Sequence, residues 1–282
     1  MMKKDSFIYK FSKHRLAVFC LCVLTIEILA IIFLPIIMDL DPITSDVKAF
    51  ASAPSSAHIL GTDDVGRDIL ARVLYGGRTS MLIGVGATAV CVLIGLPLGL
   101  LAGYYRGKVE TLIMRCADIF LSFPSMVLNL VIVAVFGSSI PLLIFVIGAL
   151  HWPAVAKLIY GNVLSVRKRE FVEAERAIGS SDAKIIFKTV LPNSIAPLWV
   201  SLAFRISNAM LTESALSFLG AGVQPPQASW GNIMQAAMNL LVLKTRWWQW
   251  VPAGLMLMLT IVCLNFVGEG IRDALDPKMK RL

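Results

Sequence analysis

Several charged and amide side chains stand inside long apolar runs of this chain: Asp118, Asn129, Arg205, Asn208 and Glu213. A charge at the centre of a bilayer costs about 2.5–3.5 kcal/mol on insertion scales, so such a residue ordinarily faces a partner group or a wet cavity. Arg205 and Glu213 are eight residues apart on one apolar run. That is about 12 Å along a helix, too far for direct pairing. Each needs a partner elsewhere, in this chain or in a sister subunit. All five residues are candidates for lining a pathway. Structural hydrogen bonding between helices explains the same residues, because polar side chains in membrane spans commonly do it.

Other chemistry finds little support. His14, His58 and His151 lie on different segments and form no visible metal or catalytic set. Cys20, Cys22, Cys91, Cys116 and Cys263 all fall in or beside apolar runs and contain no CxxC pair, so neither a disulfide framework nor a zinc site is indicated. The run Gly103-Tyr-Tyr-Arg-Gly107-Lys108 superficially resembles a phosphate loop. It is one residue short between the glycines and has Val109 where Ser or Thr would hold magnesium. Asp63 and Asp64 are adjacent rather than alternating, which argues against a calcium loop. The chain is expected to bind no nucleotide, cofactor or metal of its own; if it transports actively, the energy must enter from a partner or an ion gradient.

The elements that hold these residues are membrane spans. The chain has 282 residues, 57% of them hydrophobic, and a mean hydropathy of +0.76. About 20 apolar residues cross a bilayer as a helix. Six runs qualify: Leu16–Met38, Thr79–Gly103, Leu112–Val135 with a kink at Pro124, Ile140–Tyr160, Ile195–Gly220 and Val251–Gly268. The first is too long for a signal-peptide core and is read as retained. The expected fold is an all-α membrane protein with six transmembrane helices. A net charge of +8 suggests nucleic acid only where a soluble basic face exists; here the charges sit between spans. Lys3, Lys4, Lys10, Lys13 and Arg15, the 2–3 loop, the 4–5 loop and the tail with Arg272, Lys278, Lys280 and Arg281 together hold 19 of the 26 Lys and Arg residues. Lys48, Arg67, Arg72, Arg78, Lys244 and Arg246 are the six on the other side. The positive-inside rule then puts both termini and the 4–5 loop in the cytoplasm. Tyr104, Tyr105, Trp247, Trp248 and Trp250 stand at span ends as interfacial anchors.

Residues 162–193 break the row of spans. Glu173–Ile178 reads as a helix ended by Gly179 in a left-handed cap, and Ser180, Ser181 or Asp182 can cap a second helix over Ala183–Val190 that stops at Pro192. Phe171, Ala174 and Ile178 share one face and can enter a partner's groove. An amphipathic helix pair resting on the membrane surface is the plain alternative. On the opposite side, Gly61-Thr62-Asp63-Asp64 reads as a turn, with Asp64 capping a short helix over Ile69–Leu74 and Asp68 paired with Arg72. Gly231–Leu243 reads as an outer helix after the Gln224-Pro-Pro226 break.

Glu173-Ala174, Gly179 and Leu191-Pro192 stand at the spacings of the EAA motif of ABC importer permeases. Glu175 replaces the motif's second alanine, and Thr189 replaces a usual isoleucine. His58-Ile-Leu-Gly-Thr-Asp-Asp-Val-Gly-Arg-Asp68, Ser214–Gly222, Gln224-Pro-Pro226, Ser229-Trp-Gly231 and Gly270–Lys278 resemble, in order, the second permease subunit of dipeptide, oligopeptide and nickel importers. The resemblance runs from about Ala57 to Arg281. It implies one N-terminal helix plus a five-helix type I permease core, with residues 1–78 preceding a permease domain over 79–275 and a cytoplasmic tail over 276–282. It further implies a cytoplasmic-membrane location, a homologous second permease, two cytoplasmic ATPases carrying ATP and Mg, and an extracytoplasmic solute-binding protein. In that family Glu173, Ala174, Gly179, Leu191 and Pro192 would couple to the ATPases, and Glu27, on a helix outside the core, would be an assembly contact. Peptide is the expected solute; nickel or other metal chelates and glutathione are alternatives. A self-sufficient secondary transporter or channel is the rival class. It explains the spans but not the basic two-helix loop, and paired broken helices in an inverted repeat are not evident.

Overall fold

The computed structural model describes residues 7–275, all of whose regular elements are helical. The basic residues at positions 3, 4, 278, 280 and 281 lie outside that range, as does the end of the Gly270–Lys278 block. Four helices are long and apolar enough to cross a membrane: α2 (Arg15–Ile37), α3 (Ile69–Tyr105), α6 (Ile140–Arg167) and α13 (Val251–Leu275). Two bent pairs bring the number of spans to six if each pair is one span: α4 (Gly107–Ser122) with α5 (Ser125–Phe136), and the Asp182–Ser194 segment with α10 (Ala196–Phe218). The remaining helices are short. They are α1 (Phe7–Lys13), α7 (Glu170–Ala177), α8 (Asp182–Ile185) and α9 (Leu191–Ser194) at one end, and α11 (Trp230–Met234) and α12 (Leu240–Thr245) at the other. Large apolar side chains remain exposed around the bundle, such as Ile26, Ile37, Leu93, Val135 and Phe136, as expected where lipid or another membrane subunit replaces water.

Close backbone approach builds the centre. Gly95, Gly99 and Gly103 recur every fourth residue along α3 and face α6. A Cβ at Gly95 would lie 2.7 Å from the Trp152 carbonyl oxygen, and one at Gly99 would lie 2.6 Å from that of Ala156. In lipid, where burying apolar surface gives no advantage over exposing it, such small-residue seams let dispersion contacts hold helices together. Gly148 returns the arrangement from α6, with its Cβ position 2.5 Å from the Ala87 carbonyl oxygen.

The first span is fastened by polar contacts. Pro35 removes the N–H that would bond Ile31 O. Arg78 of α3 fills the gap, its Nε donating to Ile31 O at 2.9 Å and its Nη2 to Ile32 O at 2.7 Å. Glu27 is buried and accepts from Thr260 Oγ1 of α13 at 2.6 Å. It is therefore turned into its own chain, not outward as an assembly contact. His14 and Asp273, 3.5 Å apart, set the start of α2 beside the end of α13. That end of the bundle also holds the α3 and α6 C-termini and the α7–α9 loop.

Local reading misplaced several boundaries. The short helix at Ile69–Leu74 and the span from Thr79 are one helix of 37 residues, about 55 Å long and so well beyond a hydrocarbon core. Gly76 and Gly77 do not break it, because they pack against Ser229, Ile233, Ile31 and Trp230. Its N-cap is Asp68, not Asp64: Asp68 Oδ1 accepts from Ala71 N at 2.9 Å and Oδ2 lies 2.9 Å from His58 Nδ1. Asp68 is thus occupied, and Arg72 sits instead 3.6 Å from Asp63 Oδ2. Asp64 reaches across to Arg246 at 2.6 Å. Pro124 ends α4 rather than kinking it, and α5 leaves at 84°. The outer helix predicted over Gly231–Leu243 is split, since Asn239 stops a 3-10 turn and caps α12 through Leu241 N at 2.9 Å.

Candidate functional site

The first candidate site is the α7–α9 loop. Arg169 leads into α7, whose Val172 is buried in a cluster with Leu100 and Tyr104 of α3, Val163 and Val166 of α6, and Ile185, Ile186 and Val190. The Tyr104 hydroxyl donates to Asp182 Oδ1 at 2.6 Å, while Arg176 and Arg167 lie 5.2 and 5.9 Å from the Tyr104 ring centre. Gly179 turns the chain at φ +78°, and Ser181 caps α8 through Lys184 N. The second helix does not stop at Pro192. It passes through a π turn over Ile186–Val190, in which Leu191 N bonds Ile186 O five residues back, and continues as α9 to Ser194. Pro192 has no N–H to give, and it falls just past the π turn, where the helical bonding changes register. The break comes at Ile195, before α10 turns away by 60°.

This loop hides one side and shows the other. Glu173, Ala174, Phe171 and Ile178 are exposed, Ile178 to 78%. Nothing lies within 4 Å of where a Gly179 Cβ would be. Leu191 is half-buried and Pro192 exposed. The two departures from the EAA pattern meet each other: Thr189 Oγ1 donates to Glu175 Oε1 at 2.6 Å. The carboxylate in place of alanine and the hydroxyl in place of isoleucine are thus one hydrogen-bonded pair between the two helices.

The second candidate site is a cavity of about 380 Å³ among α3, the start of α5, α6 and α10. Arg205 and Asn208 line it, together with Thr88, Cys91, Ser125, His151, Ala154 and Thr212. Arg205 Nε donates to Ser201 Oγ at 3.3 Å. His151 Nδ1 lies 2.7 Å from Ile147 O; a carbonyl only accepts, so Nδ1 carries a proton and Nε2 is the free nitrogen. Ser125 reaches the wall because α5 begins there after the break at Pro124.

The other three candidates lie elsewhere. Asp118 is exposed and paired with Lys157 at 2.7 Å. Asn129 is buried one turn beyond Ser125, donating to Ser125 O at 2.8 Å. Glu213 is fully buried in a cage of hydroxyls, accepting from Ser80 at 2.9 Å, Ser217 at 2.7 Å and Ser214 at 3.4 Å. Ser80 also accepts from Trp230 N at 3.2 Å, and Ser217 from Val223 N at 2.9 Å. Glu213 therefore ties α3 and α10 to the segment that leads into α11. Sequence reasoning missed His151, Thr88, Ser125 and Thr212. His151 carried a signal, an ionisable ring inside an apolar run beside Pro153; single hydroxyls in a span carry almost none.

A polytopic helical bundle with an exposed two-helix loop at one end and a polar cavity inside is the architecture of a transport permease. Residues 95–281 match the family of binding-protein-dependent transport system inner membrane components, and residues 5–54 match the N-terminal TM domain of oligopeptide transport permease C. The chain belongs to this family of binding-protein-dependent permeases. A putative peptide permease of Brucella suis biovar 1 is 39% identical over 95% of this chain and 89% of the relative. The dipeptide transport system permease DppC of Alkalihalophilus pseudofirmus is 37% identical over 95% of this chain and 88% of its own length. The glutathione transport system permease GsiD of Pectobacterium atrosepticum is 38% identical over 83% and 77%. Among solved structures, a chain of the methionine ABC transporter MetNI, in an inward-facing crystal form, aligns with TM-score 0.58 at 18% identity, covering 74% of this chain and 97% of that chain. At that identity the likeness speaks for the fold. The protein is a multi-pass inner membrane permease of an ABC importer, not its ATPase, and such a system works with an ATPase and a solute-binding protein.

Proposed function

We propose that this chain carries small peptides across the cytoplasmic membrane as one half of a permease pair, with a homologous second permease and two ATPases on the cytoplasmic side. Its termini and α7–α9 loop face the cytoplasm, a reading supported by the concentration of Lys and Arg at that end. The observation that carries the proposal is the unfilled apolar face of Phe171, Ala174 and Ile178 beside the open Gly179 turn, mounted on a buried base. Exposed apolar side chains on a helix that is anchored on its other side suit a groove in a soluble partner. Glu173, Ala174 and Gly179 make the contact; Leu191 and Pro192 hold the return to α10. ATP binding draws the two ATPases together, the loops move with them, and the cavity walls open to the solute delivered outside. ATP and Mg belong to those subunits.

Arg205 and Asn208 face the moving solute, while Glu213, Asn129 and Asp118 support the walls around it. Peptide is favoured by the relatives that carry peptides and dipeptides; glutathione, itself a tripeptide, is the second reading supported by a relative. The test is reconstitution of the permease pair with its ATPases and binding protein in liposomes, followed by uptake of whatever peptide the binding protein retains. ATP-dependent accumulation is expected. Uptake without ATP, or a purified permease that retains no ATPase, would refute the assignment.

A further inference from the structure

The cavity around Arg205 is built to hold a ligand, an inference that rests on the permease reading above. Arg205 lies near the middle of α10, about 14 Å from the start of that helix. Its Nε donates to the Ser201 hydroxyl at 3.3 Å, and the Cys91 thiol of α3 lies against the guanidinium. No carboxylate of this chain lies within ion-pair distance of it among the described residues. The two acidic residues in the apolar runs of the bundle core are already engaged, Glu213 by three serines and Asp118 by Lys157. The two terminal nitrogens of the guanidinium are left with the cavity. Around them stand donors and amphoteric groups, with no carboxylate among the lining residues: Asn208, Thr88, Thr212 and His151.

We propose that this cavity is a carboxylate-binding station, in which Arg205 grips a carboxylate of the passing solute. A guanidinium matches a carboxylate with two parallel N–H donors, a geometry that an ammonium does not offer. An ion held at mid-membrane needs a counter-charge or water, and among the described residues the chain supplies only the neutral Ser201 hydroxyl and Cys91 thiol. Asn208 and the hydroxyls can bond a peptide's backbone without fixing its sequence, as a carrier of varied small peptides requires. A cationic solute without a carboxylate would meet an uncompensated like charge. The rival occupant is an acidic side chain of the second permease, reaching over the interface to Arg205.

Thiol chemistry separates these without knowledge of the natural solute. In the assembled complex, with the five cysteines replaced by serine, Ala154→Cys places a thiol on the cavity wall. Its labelling rate is measured with an anionic and a cationic methanethiosulfonate, ethylsulfonate and ethyltrimethylammonium, each normalised to its rate with a free thiol. The anionic reagent should be favoured at least tenfold. Arg205→Lys should keep that preference and Arg205→Gln should erase it. Propionate should slow labelling more than chloride at equal ionic strength. Equal normalised rates in the parent protein would mean that Arg205 is already paired and would overturn the proposal. So would failure of both reagents to react, or equal slowing by propionate and chloride. Retention of the ATPases, scored on the same samples, reports on the importer reading separately.

Discussion

The Glu175–Thr189 pair makes a prediction that distinguishes a working contact from two neutral substitutions. Thr189 is buried and Glu175 half-buried, and the 2.6 Å bond runs between the two helices of the loop. Glu175 Oε2 has no partner among the described residues, so Thr189 is the donor that offsets burial of this carboxylate. Thr189→Val removes it while keeping the shape. A hydrogen bond to a charged group contributes about 1.5–3 kcal/mol; water can reach a half-buried carboxylate, so the expected loss is about 1–2 kcal/mol. Glu175→Ala should cost less, because the freed hydroxyl can turn to the carbonyl four residues back. The double variant Glu175→Ala/Thr189→Val removes both polar groups and should return close to the parent. Hydrogen exchange of the α7 amides reads local opening directly. Thr189→Val should lose about five- to thirtyfold in protection, at tenfold per 1.4 kcal/mol, and the double variant should lie within about threefold of the parent. If Thr189→Val exchanges like the parent, or if the two losses simply add, the pair does not hold the loop together.

Other substitutions probe the remaining joints. Gly179→Val meets no steric neighbour but forces a β-branched residue to φ +78°, at about 1–2 kcal/mol; with Ala174→Asp it should leave the protein inserted yet release the ATPases, and wild-type retention on the purified permease pair would remove the loop from the coupling path. Glu213→Ala orphans the Ser80 and Ser217 hydroxyls, each about 1–3 kcal/mol, so folded protein in the membrane should fall, whereas Glu213→Gln should recover much of it; normal levels for the alanine variant would show the cage to be dispensable. Gly99→Leu must displace the Ala156 backbone, since a Cβ alone would sit 2.6 Å from that oxygen, and thermal aggregation of the purified permease should begin at lower temperature; an unchanged midpoint would mean that α3 and α6 separate freely. For sidedness, cysteines at Ser180 and Arg272 should resist an impermeant reagent in intact cells while those at Ser56 and Gln227 react. Labelling of Ser180 from outside would invert the topology.

The spans were legible because hydrocarbon sets both their length and their composition, and Leu16–Met38 differs from α2 by a single residue at each end. The Gly179 turn was legible for a similar reason: a left-handed residue followed by Ser181 is a local signal. What failed depended on distant partners. Asp64 and Asp68 are equal as capping residues in the sequence; His58 and Arg246, one ten residues back and one far downstream, decide between them. Pro192 looked like a stop because the π turn that accommodates it leaves no mark in composition. Arg205 and Glu213 looked alike as charges in one span. Only their surroundings separate them: serines of α3 and α10 satisfy Glu213, while Arg205 has the Ser201 hydroxyl and the Cys91 thiol.

Where the molecule can flex follows from where it cannot. Val172, Ile185 and Val190 lock the loop to the ends of α3 and α6 in one cluster with Tyr104, Ile159 and Val163. Those two helices meet backbone to side chain at Gly95, Gly99 and Gly103, and packed interfaces of this kind shift between discrete arrangements instead of deforming continuously. A pull on α7 therefore moves α3 and α6 together. These same helices supply Thr88, Cys91, His151 and Ala154 to the cavity, whereas Ser125 and Arg205 come from α5 and α10, each joined to its predecessor through a sharp break of 84° or 60°. The cavity thus has one wall on helices packed against the loop and another on helices that start at sharp breaks, with α10 also held in the loop's cluster through Leu198. Under the proposed coupling, a displacement of the loop therefore reaches Arg205 along two connections, through α3 and α6 and directly through the break at Ile195 into α10.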